Sequence, residues 1–385
     1  MKKILMPLSY VLVIIATILG TLAFTQTSTR NYGTDYKLQE LEALLMEKFV
    51  DGADAKQLQD AAAHAMVGAL GDRWSYYIPQ DEFAAYVENK NNSYVGIGVT
   101  IEQTDLGYRV IKINQDGPAQ QAGILPGDVI VAVDGTRVAE LSIEEGKEMV
   151  RGPEGTQVSI TVLREGQELT FTMTRQTVAT VVATGIMLLE NIGLVTIYNF
   201  NANCHSETMR AVEELINDGA TALIFDVRFN GGGYKRELVK ILDDLLPEGP
   251  LFRSEYYTGE TSVDESDADC LEIPMAVLVN NQSYSAAEFF AAALREYEWA
   301  VLVGQQTQGK GHYQETYQLS DGSAVGVSTG RYTTPNGVDL EGVGLKPDIV
   351  VEVDEETYDN IYAGILNPME DPQILAAIAA LKNNE

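Results

Sequence analysis

The sequence predicts a multidomain protein that combines α+β and α/β architecture, on three observations. The chain has 385 residues, enough for two or three domains with separate cores. From Tyr94 to about residue 177, short candidate strands alternate with turns rich in glycine and proline. From about residue 178 to residue 353, apolar strands alternate with helices, which is typical of a partly parallel sheet. The segments before and after these regions have helical patterns.

The N-terminal segment predicts a membrane span. Lys2 and Lys3 precede an uncharged, mostly apolar run of 21 residues, 4–24, and a helix of about 20 residues is enough to cross a bilayer. The two lysines favour a cytoplasmic N-terminus. We therefore expect a cell-membrane protein with a single N-terminal span and an extracytoplasmic catalytic region. Thr21 and Ala23 could instead form a weak cleavage site, in which case the protein is secreted after signal cleavage.

Leucines and alanines at three- and four-residue spacing predict helices within residues 36–69. A short helix is expected over residues 81–88, and the polar stretch 89–93 is a candidate linker. In the β-rich region, Ser142 and Glu145 form a capping-box pattern that predicts a helix over Ser142–Val150. The strands predicted in that region are Val95–Ile101, Tyr108–Ile113, Val129–Val133, Gln157–Leu163 and Leu169–Thr174.

The third region contains short apolar runs of the kind that are buried on both faces of a sheet. The segment Glu260–Glu272 is expected to be an acidic loop, which is either solvated or, alternatively, a mobile flap over a site. The predicted strands are Gly193–Tyr198, Ala222–Val227, Met275–Val279 and Ala300–Val303. The predicted helices are Ser206–Asn217 and Ser285–Arg295, followed in the tail by Glu355–Ala363 and Gln373–Lys382.

Composition excludes some classes of function. The net charge of −30 argues against nucleic acid as a partner, because phosphate binding requires clustered lysines and arginines. The two cysteines, Cys204 and Cys270, could pair outside the cell, but two cysteines alone do not establish a disulfide. The sequence has neither a C-x-x-C nor an H-E-x-x-H motif, and we expect no metal and no other cofactor.

Ser285 is the candidate nucleophile. It follows the predicted strand 275–279 and begins a helix, whose positive end favours developing negative charge. The backbone N–H of Ala286, with a second donor from the glycines around Gly232, could form an oxyanion hole. The simpler interpretation is that Ser283 and Ser285 only cap the helix.

Lys310 is the candidate general base. A serine hydroxyl is a weak nucleophile until a neighbour takes its proton. A lysine can do so only if its pKa falls from about 10.4 to about 7, a change worth about 4 kcal/mol that burial can supply. Gly309 and Gly311 flank the lysine and allow close backbone packing. In extended backbone, His312 and Gln314 would share its face, so Gln314 could hold the amine. Lys310 could also be an ordinary surface residue, and His312 is a rival base.

Residues 304–311 fit a phosphate-binding loop except at the last position. Gly311 stands where a Ser or Thr would bind magnesium, and the residues after it predict a strand where the motif requires a helix. Nucleotide binding is therefore disfavoured.

A peptide-binding groove is predicted in the β-rich region. Gly96, Ile97, Gly98 and Val99 could form a loop whose N–H groups capture a C-terminal carboxylate. The adjoining strand would pair with the peptide backbone, and the helix over 142–150 would close the groove. The same four residues could also be a simple glycine turn.

In this order and spacing, these segments resemble the carboxy-terminal processing proteases, which are membrane-associated or exported serine peptidases that carry a PDZ domain. The resemblance covers roughly residues 36–353. Each motif is weak alone, but the separation of 25 residues from Ser285 to Lys310 and of 4 from Lys310 to Gln314 makes the set specific. The segments concerned are Tyr94–Val99, Gly117–Ala119, Ala122–Asp128, Arg151–Thr156, Asp226–Gly233, Ser283–Glu288 and Gly309–Gln314.

The resemblance implies that Ser285 is the nucleophile, Lys310 the general base and Gln314 the residue that orients the base. Ala286 and Gly232 match the oxyanion-hole positions of the family. The fold it implies is a PDZ domain inserted beside a crotonase/ClpP-like protease core, with helical N- and C-terminal segments.

Three further positions are informative by comparison with the family. The family usually has a small residue where Tyr284 stands and a proline where Gly231 stands. Tyr284 could narrow the substrate channel, and Gly231 could loosen the oxyanion loop. Arg151 is a candidate regulatory residue, because in some relatives an arginine of the PDZ region links peptide binding to assembly of the active site.

We therefore predict a serine endopeptidase that binds exposed protein C-termini. One alternative is a PDZ scaffold with an inactive protease-like domain. Another is an acyl transferase of the β-lactamase kind, which the missing S-x-x-K spacing at Ser285 disfavours. Helices before residue 92 and after residue 354 could form a homodimer. The predicted domains are an anchor or signal segment (1–30), a helical region (31–92), a PDZ domain (93–177), a protease core (178–353) and a C-terminal helical segment (354–385).

Overall fold

The computed structural model describes residues 34–115, 117–189 and 191–383. These residues fall into two compact units, one that ends at Tyr77 and one that begins at Ile78. The expected membrane segment, residues 4–24, lies outside the described ranges. Within those ranges, no helix has both the length and the hydropathy that crossing a bilayer requires.

The first unit contains two helices, α1 (Thr34–Lys48) and α2 (Ala55–Gly68), and most of a short strand, β1 (Tyr76–Ile78). Both helices lie where the leucine and alanine spacing predicts them. Apolar side chains are exposed on α1 and just after it, among them Leu44 and Phe49. Such side chains are common where a second surface is bound. The homodimer stays a prediction.

The second unit begins with α3 (Gln80–Lys90) and continues into the β-rich region. Its strands are β2 (Ser93–Gly96), β3 (Val99–Thr104), β4 (Gly107–Ile113), β5 (Val129–Val133), β6 (Thr136–Arg137), β7 (Gln157–Arg164), β8 (Gln167–Thr174) and β9 (Gln176–Ala179). Its helices are α4 (Pro118–Ala122) and α5 (Ile143–Val150).

The β-rich region consists of one sheet and a separate pair of strands, β2 and β9. The sheet has the order β3-β4-β5-β7-β8, with β6 beside β5, and β3 lies at its edge. Strands β2 and β9 pair antiparallel, so the chain enters and leaves the region side by side. Tyr108, Ile130 and Ile160 are among the buried residues of its core. The predicted capping box is confirmed, because Glu145 Oε2 accepts the N–H of Ser142 at 2.9 Å and Ser142 Oγ accepts the N–H of Glu145 at 3.3 Å.

The predicted strand Val95–Ile101 is wrong in its middle. Extended backbone is interrupted between β2 and β3 at Ile97 and Gly98, where Gly98 has a φ of +78°. The carbonyl oxygens of Ile97 and Gly98 accept hydrogen bonds from the N–H groups of Ala119 and Asn114, both at 2.9 Å. The Ala119 N–H holds the Ile97 carbonyl outside the pairing of β2 with β9, and the Asn114 N–H extends the β3–β4 pairing to Gly98. The left-handed conformation favours glycine at position 98.

The remaining residues of the second unit alternate strands and helices. The strands are β10 (Ala183–Leu189), β11 (Ile192–Ile197), β12 (Ala222–Asp226), β13 (Gly249–Tyr256), β14 (Thr261–Ser266), β15 (Met275–Val279), β16 (Ala300–Gly304), β17 (His312–Gln318), β18 (Ala324–Thr333) and β19 (Ile349–Val350). The helices are α6 (Cys204–Asn217), α7 (Lys235–Leu245), α8 (Ala286–Glu296), α9 (Glu355–Tyr362) and α10 (Pro372–Asn383).

A six-stranded sheet with the order β10-β11-β12-β15-β16-β19 forms the centre. All neighbours from β11 onward are parallel, and β10 is antiparallel to β11. Side chains alternate along β12, with Leu223 and Phe225 on one face and Ile224 on the other. The first face packs against α6, α7 and α8, and the second against α10. The predicted apolar strands and the partly parallel sheet are confirmed.

Four strands form a second, antiparallel arrangement, in which β18 pairs with β17 and β13, and β13 pairs with β14. The prediction of an acidic loop over Glu260–Glu272 is therefore wrong for residues 261–266, which are β14. Main-chain pairing with β13 orders this exposed edge strand, and charge composition contains no information about that pairing.

Candidate active site

The predicted catalytic segments converge because they follow neighbouring parallel strands. Residues 227–233 follow β12, residues 280–285 follow β15, and residues 305–311 follow β16. These three strands are adjacent in the sheet. The carboxyl ends of parallel strands share one edge, so the three loops meet there.

Ser285 occupies a sharp strand-to-helix turn. Its φ and ψ are +58° and −126°, a conformation that costs a residue other than glycine roughly 1–3 kcal/mol. The N–H groups of Glu288 and Phe289 both donate to its main-chain carbonyl oxygen, at 2.9 and 3.1 Å. The neighbouring Ser283 has a different role, because its Oγ donates to the carbonyl of Val227 at 2.7 Å and Ser283 is fully buried. Of the two serines, Ser285 therefore suits a nucleophile, and Ser283 ties the loop to β12.

A single buried carboxylate joins the turn at Ser285 to the loop that holds Lys310. Glu288 Oε2 accepts the N–H of Ser285 at 3.0 Å and the N–H of Lys310 at 2.8 Å. Glu288 Oε1 accepts the N–H of Gly309 at 2.7 Å and the hydroxyl of Thr307. Burial raises the pKa of the Glu288 carboxyl, and these four hydrogen bonds oppose that rise. The main chains of the predicted nucleophile and base are thus held by one oxygen atom.

Lys310 lies before β17, in a tightly packed loop. A Cβ at Gly309 would lie 2.7 Å from the main-chain nitrogen of Gly344, and one at Gly311 would lie 2.6 Å from Asp339 Oδ1. The close packing expected of the two flanking glycines is confirmed. Lys310 Nζ lies 5.8 Å from the ring centre of Tyr284, within the range of a cation–π contact.

The two polar residues that follow Lys310 have other contacts. Gln314 Nε2 donates to Ser328 Oγ at 2.9 Å and to the carbonyl of His312 at 3.3 Å. His312 Nδ1 lies 2.8 Å from Glu341 Oε2. The role of Gln314 as the residue that orients Lys310 stays a prediction. The same Glu341 oxygen accepts the N–H of Gly311. This arrangement suits a structural role for His312.

The loop after β12 places Gly232 against the nucleophile. A Cβ at Gly232 would lie 2.8 Å from both Ser285 Cβ and the main-chain nitrogen of Ala286, so a larger residue does not fit. The N–H of Gly232 donates to Asn230 Oδ1 at 2.8 Å. Asn230 is fully buried, and its Nδ2 donates to the carbonyl of Ile197 at 2.7 Å. Gly232 and Ala286 are therefore neighbours, and their oxyanion-hole role stays a prediction.

The two departures from the family pattern, Tyr284 and Gly231, are in contact with each other. A Cβ at Gly231 would lie 2.5 Å from the Tyr284 hydroxyl oxygen. The phenol therefore occupies the space that any side chain at position 231 would need. Because its ring also lies near Lys310 Nζ, Tyr284 lies between the loop at Gly231 and Lys310.

A groove of about 490 Å³ lies in the β-rich region between β3 and α5. It is lined by all four predicted peptide-binding residues, Gly96, Ile97, Gly98 and Val99, and by Arg151. Their peptide-binding and regulatory roles stay predictions.

Sequence reasoning missed the roles of Glu288 and Asn230. A signal for Glu288 was present, since Ser285-x-x-Glu288 has capping-box spacing. No local pattern marks Asn230, because its partners lie on β11 and in the Gly232 turn.

The described residues hold no cluster of ligands suited to a metal ion. The thiols of Cys204 and Cys270 are both free, so the disulfide that the sequence left open is absent from the structure. Burial raises the pKa of the Cys204 thiol to about 12, which makes it an inert core residue. The residues after Gly311 form β17, as predicted, which removes the helix that a phosphate loop requires.

Comparisons with known proteins agree with these features. Residues 191–351 match the model for peptidase family S41, and residues 95–174 match the model for the PDZ domain. A probable CtpA-like serine protease of Staphylococcus haemolyticus (strain JCSC1435) is 30% identical over 316 residues, which cover 81% of this chain and 64% of that protein. The carboxy-terminal processing protease CtpA of Bacillus subtilis (strain 168) is 29% identical over 320 residues, covering 82% and 69%. The chain thus spans less than two thirds of the length of the staphylococcal relative.

A solved structure of a photosystem II D1 C-terminal processing protease is also similar. It is 28% identical, with a TM-score of 0.47, over 84% of this chain and 88% of that one.

We expect Glu288→Gln to lower the stability of the protein and to slow the reaction of Ser285 with a probe. The amide would place an NH₂ group against two of the four donors that the carboxylate now accepts, leaving buried donors unpaired at a cost of about 1–3 kcal/mol each. Urea unfolding should show the loss of stability, and a fluorophosphonate probe should label Ser285 more slowly. Glu213→Gln removes the same charge from an exposed position on α6 and serves as the control. Unchanged stability and labelling in Glu288→Gln would contradict this role.

We expect Gly231 and Tyr284 to be energetically coupled. Gly231→Ala should lower the free energy of unfolding by about 1–3 kcal/mol, because the methyl group meets the phenol. In a Tyr284→Ala background the same change should cost less, with a coupling of about 1 kcal/mol in the double-mutant cycle. Gly68→Ala, where a Cβ meets nothing within 4 Å, is the control. Strictly additive effects would show that the two residues do not interact.

Proposed function

We propose that this chain is a serine endopeptidase that binds protein C-termini, a proposal supported by the match of residues 191–351 to peptidase family S41 and of residues 95–174 to the PDZ domain. The observation that carries the proposal is the shared carboxylate of Glu288, which holds the main chains of Ser285 and Lys310 to one oxygen. Ser285 supplies the nucleophile, in a strained turn at a helix N-terminus. Lys310 supplies the base.

In the first half of the proposed reaction, Ser285 Oγ attacks the carbonyl carbon of a peptide bond while Lys310 Nζ accepts its proton. The neutral amine is required, because an ammonium group has no lone pair. The tetrahedral intermediate collapses when the C–N bond breaks and Lys310 returns the proton to the leaving amine. A water molecule then gives a proton to Lys310 and attacks the acyl-enzyme, which releases the second product and restores the Ser285 hydroxyl.

The oxyanion of each intermediate needs donors in place. In the proposal, the N–H groups of Ala286 and Gly232 supply them, supported by the close approach of Gly232 to Ser285. The Gly232 N–H donates to Asn230 in the structure, so it must turn from Asn230 to the substrate oxygen. Gln314 would likewise exchange Ser328 for the amine of Lys310 when substrate is bound.

Substrate capture is assigned to the groove between β3 and α5. Strand β3 lies at the edge of its sheet, so a peptide can add to it as a further strand. The carbonyls of Ile97 and Gly98 are turned towards Ala119 and Asn114, which leaves the N–H side of this loop to meet a terminal carboxylate. Arg151 lines the groove and would link the binding of a peptide there to assembly of the active site.

We expect Lys310→Ala to reduce cleavage by about 10²–10⁴-fold, because the reaction then lacks its base. The assay measures cleavage of an unfolded protein with an apolar C-terminus, beside Ser285→Ala as the inactive reference. Lys346→Ala removes an exposed lysine elsewhere and should leave the rate unchanged.

Full activity in Lys310→Ala would rule out the Ser-Lys mechanism. Activity lost only in His312→Ala would transfer the role of base to His312. A wild-type chain whose Ser285 reacts with no substrate and no fluorophosphonate would favour the PDZ scaffold with an inactive protease-like domain.

The proposal also places the reaction outside the cytoplasm, on the strength of Lys2, Lys3 and the apolar run 4–24. We expect the full chain in the membrane fraction and accessible to protease added from outside, and a chain that lacks residues 1–25 to be found in the cytoplasm. Mass spectrometry of the N-terminus distinguishes an anchor from a cleaved signal. Intact full-length chain in the soluble cytoplasmic fraction would contradict the proposal.

A further inference from the structure

The charge of the peptide groove is opposite to that of the chain. The chain has 56 acidic and 26 basic residues. Among the described residues that line the groove, however, three are basic and none is acidic. The basic residues are Lys112, Lys147 and Arg151. A local positive site in a strongly negative protein requires an explanation in terms of what the groove binds.

The three cations are available to a ligand. Lys112 is exposed and makes no ion pair among the described residues. Lys147 Nζ lies 2.7 Å from Glu144 Oε1, and Arg151 Nη1 lies 3.8 Å from Glu148 Oε1. Both pairs join neighbours within one helical turn, with partners about three quarters exposed. Exposed pairs of this kind contribute little, so an incoming carboxylate can replace or share them.

The cations lie on both sides of the path that an added peptide strand would take. Lys112 is on β4, opposite Thr100 of the edge strand β3. Lys147 lies on α5, and Arg151 follows its last residue, 5.7 Å from the ring centre of Tyr94. The rest of the lining is largely apolar and includes Ile97, Ile143 and Val150, which suit an apolar terminal side chain.

We propose that the groove selects C-termini in which acidic residues precede an apolar last residue. This inference rests on the proposed capture of C-termini and adds the substrate class. Carboxylates in the last few positions before the terminal residue lie between Lys112 on one side and Lys147 and Arg151 on the other. The net charge of the chain repels acidic peptides at long range, so a preference for them arises only from local contacts within about a Debye length.

The test measures binding separately from cleavage. Full-length Ser285→Ala protein in detergent is titrated against fluorescein-labelled decapeptides that share an apolar last residue and carry acidic, neutral or basic residues just before it. We expect the acidic peptides to bind about tenfold more tightly than the neutral ones in low salt, and this advantage to shrink as ionic strength rises. Lys112→Gln should remove most of the advantage, and Lys346→Gln should keep it.

The outcomes separate the two levels of the proposal. Equal affinity for acidic and neutral peptides, or tighter binding of the basic set, overturns the charge preference and leaves the capture of C-termini standing. An acidic preference that Lys112→Gln does not change also overturns it. If no peptide binds, or if blocking the terminal carboxylate as an amide changes nothing, the capture of C-termini fails and the charge inference fails with it.

Discussion

The carboxylate of Glu288 is the point at which the start of α8 and the loop after β16 meet. Its side chain is fully buried, and each of its oxygens accepts two hydrogen bonds. A buried carboxylate is stable only when donors surround it. The fold supplies these donors from Ser285, Thr307, Gly309 and Lys310. The geometry of the site therefore follows from the four hydrogen bonds that satisfy one buried carboxyl group.

Local patterns in the sequence predicted the parts of this site, since each part begins at the end of a short apolar strand or at a helix terminus. The parallel order of β12, β15 and β16 then brings the loops together. Besides the role of Asn230, two features of the fold depended on distant contacts and were missed. The break at Gly98 is fixed by Ala119 and Asn114, and β14 is ordered by β13. The spacing of Ser285 and Glu288 was visible in the sequence, but the burial of Glu288, which makes its hydrogen bonds necessary, was not.

Positions that differ from the family pattern are easier to understand as a pair. Tyr284 is large where a small residue is usual, and Gly231 lacks the ring of the usual proline. The phenol of Tyr284 occupies the volume that a side chain at 231 would take. Tyr284 beside a side chain at position 231 would clash, and a small residue beside Gly231 would leave space unfilled, so the two departures compensate for each other next to Ser285.

The hydrogen bond from the Gly232 N–H to Asn230 affects which chains the proposed enzyme would cut. A scissile carbonyl must compete with Asn230 for that donor, and exchanging one such bond for another yields little net free energy, about 0.5–1.5 kcal/mol. A polypeptide that is not held elsewhere on the protein therefore gains little affinity from this exchange. A chain tethered in the groove has an effective concentration at the active site in the millimolar range, which raises the occupancy of the site. Proteins that do not bind in the groove would therefore be cut less often than those that do.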